Sequence, residues 1–185
     1  DFAVSRALAV ELADQVAGGS AHHGAAMALV TRWRADSVSD AVAAAAGHLR
    51  DCGSPATIWQ ACRLAAAELT LRFPFEQWAK FAMHAVTTTN ALRHAYDTTS
   101  DRRLRLVLLF QAVAFLQRER DLCLGYDGDA QDTQWHIDEL QALQPAPSAL
   151  GAVFAARKQS RAAAVAAALS WLNAGGDLRA FIGQF

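Results

Sequence analysis

Cysteine is scarce and unpaired in this chain. Three occur in 185 residues, Cys52, Cys62 and Cys123. An odd number with no Cys-x-x-Cys spacing excludes a disulfide framework, and it leaves Cys62 without the partner that thiol redox chemistry needs. Free buried thiols in a reducing cytoplasm are the simplest reading. An excess of charge of either sign is also lacking. Seventeen basic residues face eighteen acidic ones, for a formal net charge of -1. Nothing in that balance recruits nucleic acid or an anionic membrane. No apolar run approaches the roughly 20 residues of a membrane span. The first residues lack the basic start and apolar core of a signal peptide, although Asp1 need not be the natural start. Finally, there is no His-Glu-x-x-His, no paired Glu-x-x-His of a di-iron bundle, no glycine-rich phosphate loop and no Gly-x-Ser-x-Gly.

Helix-forming apolar sequence is what the chain does have. Hydrophobic residues make up 53% and charged residues 19%, enough for a sizeable core. In the first segment Val4, Leu8, Leu12 and Val16 recur at steps of four, which predicts a helix ended by Gly18-Gly19-Ser20. A second helix is expected from about Ala21 to Arg34 and a third over Ala41 to Arg50. Gly53-Ser54-Pro55 then reads as a glycine stop, a serine N-cap and a proline at the first helical position. Thr57 to Arg72 and Phe75 to about Tyr96 follow. Leu104 to about Leu124 is the most apolar stretch and is expected at the centre. Gly125 to Thr133 reads as a polar loop, Trp135 to Leu143 as a short helix, and Ala149 to Leu172 as one continuous helix. Asp177 caps a last one. No sustained alternation marks a strand. The expectation is one all-α bundle of about eight mostly antiparallel helices, over residues 1–185. Helical pattern still runs at Phe185, which predicts a polypeptide that continues past it.

An internal similarity accompanies this pattern. Ala41-Val42-Ala43-Ala44-Ala45 leads to Leu49, Gly53 and Ile58. Ala164-Val165-Ala166-Ala167-Ala168 leads to Leu172, Gly176 and Phe181. Two readings stand: alanine-rich hairpins look alike by composition, or a helical hairpin has been duplicated. Gly53 and Gly176 are both expected to be left-handed helix ends.

Chemistry concentrates in Phe81 to Tyr96. On a helical wheel His84 shares a stripe with Lys80, Thr88 and Ala91, with Thr87 and Asn90 on adjoining angles. That arrangement suits a buried pocket wall, with Thr88 and Asn90 as ligand-binding candidates. Two roles stay open for His84: a core histidine bonded to a neighbour, or a ligand. His22 and His23 open a helix and point about 100° apart, so one of them at most joins His84 on an ion. His94 falls on the outside. His48 favours the end of its helix as a cation, and His136 reads as a solvated helix start. Asp127-Gly128-Asp129 lacks the calcium-loop pattern.

The segment Phe81-Ala82-Met83-His84-Ala85-Val86-Thr87 resembles a motif of the questin-oxidase-like family. His22-His23-Gly24-Ala25-Ala26-Met27-Ala28 loosely resembles that family's early histidine helix. The resemblance covers two short segments, and the chain is much shorter than the family's members. It implies a helical oxygenase, cofactor-free or of the non-haem iron type, acting on an apolar or polycyclic aromatic molecule, with His84 and loosely His22 or His23 as ligands where iron is bound. No histidine–lysine pair near the end completes the ligand set. The helix–glycine–helix rhythm around Gly53 is also similar to carboxymuconolactone-decarboxylase-like domains, without their reactive cysteine pair. Two functions therefore compete. One is a metal-dependent oxidoreductase, its metal unspecified by imidazole alone but iron by resemblance. The other is a non-catalytic helical domain that binds a protein partner or an apolar ligand. Phe181, Ile182 and Phe185 form an apolar end that predicts a homodimer or a covering companion segment.

Overall fold

The computed structural model describes residues 2–14, 18–52, 54–73, 79–125, 136–142 and 149–183. Among them every regular element is helical, so the all-α class holds. The chain divides into two compact units, Asp1–Trp135 and His136–Phe185.

The first unit contains α1 (Phe2–Leu12), α2 (His23–Trp33), α3 (Val38–Cys52), α4 (Pro55–Arg72), α5 (Ala79–Thr98) and α6 (Arg102–Gly125). Side chains that replace missing backbone partners set the starts of these helices. The Ser37 hydroxyl accepts from the Asp40 N–H at 3.2 Å and starts α3. The Asp101 carboxylate accepts from the Arg103 and Leu104 N–H groups and starts α6. Ser54 and Pro55 occupy the N-cap and first position of α4, as their order predicts. The Ser54 hydroxyl, however, donates to the Ser20 carbonyl at 2.8 Å and makes no side-chain cap bond to α4.

Helix α6 is central: α1, α3, α4 and α5 all pack on it. Its buried stripe of Leu106, Leu109, Phe110, Val113 and Leu116 lies among Trp33, Ile58 and Trp59. Each large side chain buried this way contributes about 1.5–3 kcal/mol. In α1 the inward face differs from expectation. Ser5, Ala9 and Leu12 are buried and Val4 is exposed. Small residues let α1 approach α6 closely, and the Ser5 hydroxyl accepts from Gln111 Nε2 at 3.0 Å. The C-terminal end of α2 is held by Arg120, which donates to the carbonyls of Trp33 and Asp36.

The second unit holds a 3-10 turn at Glu139–Ala142, α7 (Leu150–Ala156), α8 (Arg161–Asn173) and α9 (Leu178–Ile182). The expected continuous helix from Ala149 to Leu172 is broken. Ser160 takes an extended conformation and accepts from the Ala163 N–H at 3.0 Å, which ends one helix and starts another. At the end of α8, Gly176 N–H donates to Trp171 O and Gly175 N–H to Leu172 O, both at 3.0 Å. This paired closure places the left-handed residue at Gly175, φ 86°, not at Gly176 as expected. Gly176 is needed for room instead: a Cβ there would lie 2.4 Å from the Trp171 ring. Gly53, the Asp127–Asp129 loop and Phe185 lie outside the described residues. Phe181 is half-covered by Phe154 and Trp171, with ring centroids 5.8 and 6.1 Å away. Ile182 and Leu178 remain exposed.

Candidate functional site

The histidines do not converge. His84 is exposed on α5, which overturns its expected burial. The stripe argument fixed which residues share a face with His84, but not which face meets the core. Ala82, Ala85 and Thr89 are the buried residues of that helix, with Thr88 half-buried and Asn90 exposed. The hydroxyl of Thr87 turns back onto its own helix, donating to Met83 O at 2.9 Å.

His22 caps α2, its Nδ1 accepting from the Ala25 N–H at 3.2 Å, and its own N–H donates to Thr57 Oγ1 at 3.0 Å. His23 Nδ1 pairs with Gln60 Nε2 at 3.1 Å. Both histidines are thus tied to the first turns of α4. Trp59, from the same turns, packs on Tyr96 of α5 with centroids 5.3 Å apart. His84 precedes Tyr96 by about 18 Å of helix rise, at 1.5 Å per residue. One ion with ligand bonds of about 2 Å cannot span that interval. The expected set of His84 with His22 or His23 belongs to no group of three metal-ligating side chains among the described residues. Burial lowers the His48 pKa, with Asp51 opposing and His22 adding to the shift.

His84 is within electrostatic reach of Glu119 of α6. This carboxyl is buried, and its Oε2 has no hydrogen-bond partner among the described residues. Burial pushes its pKa above the ordinary carboxylate range, against the pull of His84 and Arg118. Cys123, one turn further along α6, has its thiol pushed up to about 11 by burial, with Glu119 adding and Arg72 opposing. An apolar central helix expected over Leu104 to Leu124 does not by itself single out Glu119 within Gln117-Arg118-Glu119-Arg120-Asp121. The available signal was the spacing Leu116, Glu119, Cys123, which continues the apolar stripe of α6.

A second group of polar side chains surrounds a hollow. Arg93 lies 5.5 Å from the ring centroids of both Trp59 and Tyr96, and Arg105 lies 5.5 Å from Tyr96 on α5. Arg93 is also paired with Asp97 at 2.7 Å. Arg105 is oriented by donating Nε to the Thr99 carbonyl at 2.7 Å. Arg102 makes no hydrogen bond or ion pair among the described residues. Tyr96, Arg102 and Arg105, with the apolar Ala13, Pro55 and Leu106, line a cavity of about 240 Å³. Burial raises the Tyr96 phenol pKa, Arg105 and Arg93 lower it, and Asp97 raises it. Two guanidinium groups and a phenol therefore line one hollow together with Pro55 and Leu106.

Two other hollows are less suited to a charged ligand. One beside Trp33, Arg34, Glu68 and Gln117 measures about 30 Å³, the size of a solvent molecule. Another, beside Phe115 and Leu122, measures about 430 Å³ and is lined by both Arg118 and Asp121, the latter paired with Arg120 at 2.7 Å. The sequence does show the arginine group at Arg102, Arg103 and Arg105. Only the fold brings it to Pro55 and Tyr96.

No protein-family model, curated protein or solved structure matches this chain.

Proposed function

We propose that the chain is a non-catalytic helical binding module, and that the cavity beside Tyr96 takes a small organic anion with a planar apolar body. The observation that carries this reading is the presence of Arg102, Arg105 and Tyr96 in the lining of one cavity of about 240 Å³. Guanidinium groups hold carboxylate or phosphate oxygens through charge-assisted hydrogen bonds. Leu106, Pro55 and the Tyr96 ring offer a surface for an apolar body. The size is near the lower end of small-molecule pockets, which begin at about 300 Å³. The N-terminus of α6, where Arg102 stands, adds a partial positive charge. A reducing cytoplasm suits the buried thiols of Cys62 and Cys123. Among the described residues no helix is long and apolar enough to cross a membrane.

The test is titration of the purified chain with benzoate and, separately, inorganic phosphate, followed by calorimetry. Saturable benzoate binding is expected. Arg102→Ala and Arg105→Ala should each weaken it by about tenfold, or about 1.4 kcal/mol, and His84→Ala should leave it unchanged. No saturable binding of either anion up to about 10 mM, or equal binding by the arginine variants, overturns the proposal.

A further inference from the structure

The two units repeat one motif, and the comparison shows which face of the second lacks its cover. Helix α2 ends at Trp33 and α7 at Ala156; α3 begins at Val38 and α8 at Arg161; α4 begins at Pro55 and α9 at Leu178. One register aligns all three boundaries, and it is the register that pairs Ala41–Ala45 with Ala164–Ala168. The caps agree as well. Ser37 accepts from the N–H three residues on, and its counterpart Ser160 does the same. The next N-cap positions are Ser54 and its counterpart Asp177, of which only Asp177 caps its helix through its side chain. Inward positions correspond too: Val30 with Val153, Trp33 with Ala156 and Ala44 with Ala167 are buried in both units. Compositional likeness between alanine-rich hairpins does not require matching caps, ends and core positions in one register.

The outer faces differ. Leu49 is 2% exposed, but its counterpart Leu172 is 40% exposed. Trp59 is 1% exposed, and its counterpart Ile182 is 61% exposed. Pro55 is buried, whereas its counterpart Leu178 is exposed. In the first unit α6 packs on α3 and α4, and α5 packs on α4 with Tyr96 against Trp59. We infer that the face formed by Leu172, Leu178 and Ile182 is a docking face for an amphipathic helical hairpin of the α5–α6 kind. The partner's chemistry follows from the helices that serve the first unit: an aliphatic and aromatic stripe like Leu109, Phe110 and Val113 on one helix, and an aromatic ring like Tyr96 on the other. This inference is independent of the anion cavity.

The same register supplies the experiment, because Phe185 aligns with Cys62. An extended chain carries a second copy of residues 63–125 directly after Phe185. Ile182→Cys is introduced in the parent and extended chains, and alkylation at that position is followed by peptide mass spectrometry. Alkylation should be at least about tenfold slower in the extended chain, the protection expected of a cooperative packed unit. Leu109→Asp and Phe110→Asp, made only in the appended copy, should restore the parent rate. Equal rates in the parent and the intact extension overturn the inference. Equal slowing by the intact and the broken extension also overturns it, since nonspecific collapse then explains the protection. So does an extended chain whose helicity per residue falls below the parent's, because completing a repeat must add folded helix.

Discussion

The Arg34 guanidinium meets the Glu68 carboxylate through two hydrogen bonds, Nε to Oε1 at 3.0 Å and Nη2 to Oε2 at 2.7 Å. Glu68 is buried in α4, and Arg34 follows the last residue of α2. The pair therefore ties two helices together through a fork that lysine could not reproduce.

Removing one partner leaves a charge in the interior. Arg34→Met should lower stability by about 3–5 kcal/mol. Combining it with Glu68→Leu should recover part of that loss, because the buried carboxylate that Arg34 served is then gone as well. Urea denaturation of the two single variants and the double variant checks this, and a strictly additive double variant counts against it.

Glu119 should give the first unit a distinct pH dependence. Its folded pKa is raised, chiefly by burial, so the folded state holds the proton more tightly than the unfolded chain does. Stability from this group is present below the free glutamate value, about 4.3, and is lost as pH rises through the folded value. Glu119→Gln should therefore gain on the wild type as pH increases over that range. His84→Ala should push the Glu119 titration higher, because His84 lowers it. Denaturation midpoints from about pH 4 to 8 measure both effects.

The buried thiols should be inert in the native chain. Burial pushes the Cys62 pKa far above that of a free thiol and Cys123 up to about 11. Alkylation at about pH 8 should modify neither until denaturant is added, since the thiolate is the reacting form. Native-state modification of Cys62 at the rate of a free thiol would contradict its position in the core.

Two adjacent glycines should fail for different reasons. Gly175→Ala forces a side chain into left-handed backbone, at a cost of about 1 kcal/mol. Gly176→Ala should be more damaging, because its Cβ would fall 2.4 Å from the Trp171 ring. Trp171→Ala should relieve the second defect and leave the first. Thermal melting of the single and double variants distinguishes the two mechanisms.

Periodicity and capping residues made the helices legible. Leu104 to Leu124 is apolar over so much of its surface that only a central place buries it, and α6 is central. Ser54-Pro55 and Asp177 announced helix starts that the fold contains. Ser160 carried the same kind of signal, but the alanine-rich sequence on both sides masked the break. Local sequence also set which residues share a stripe with His84. It did not set which stripe faces inward, because that depends on the surfaces α4 and α6 present to α5, and the sequence of α5 alone does not contain them. Tertiary packing alone turned His84 outward, buried Glu119 within a charged run, and brought Arg102 and Arg105 to Tyr96 and Pro55. Helix identity is a local property of hydrogen bonding and side-chain pattern, whereas a site is an agreement between helices, and one helix's sequence holds only its own half.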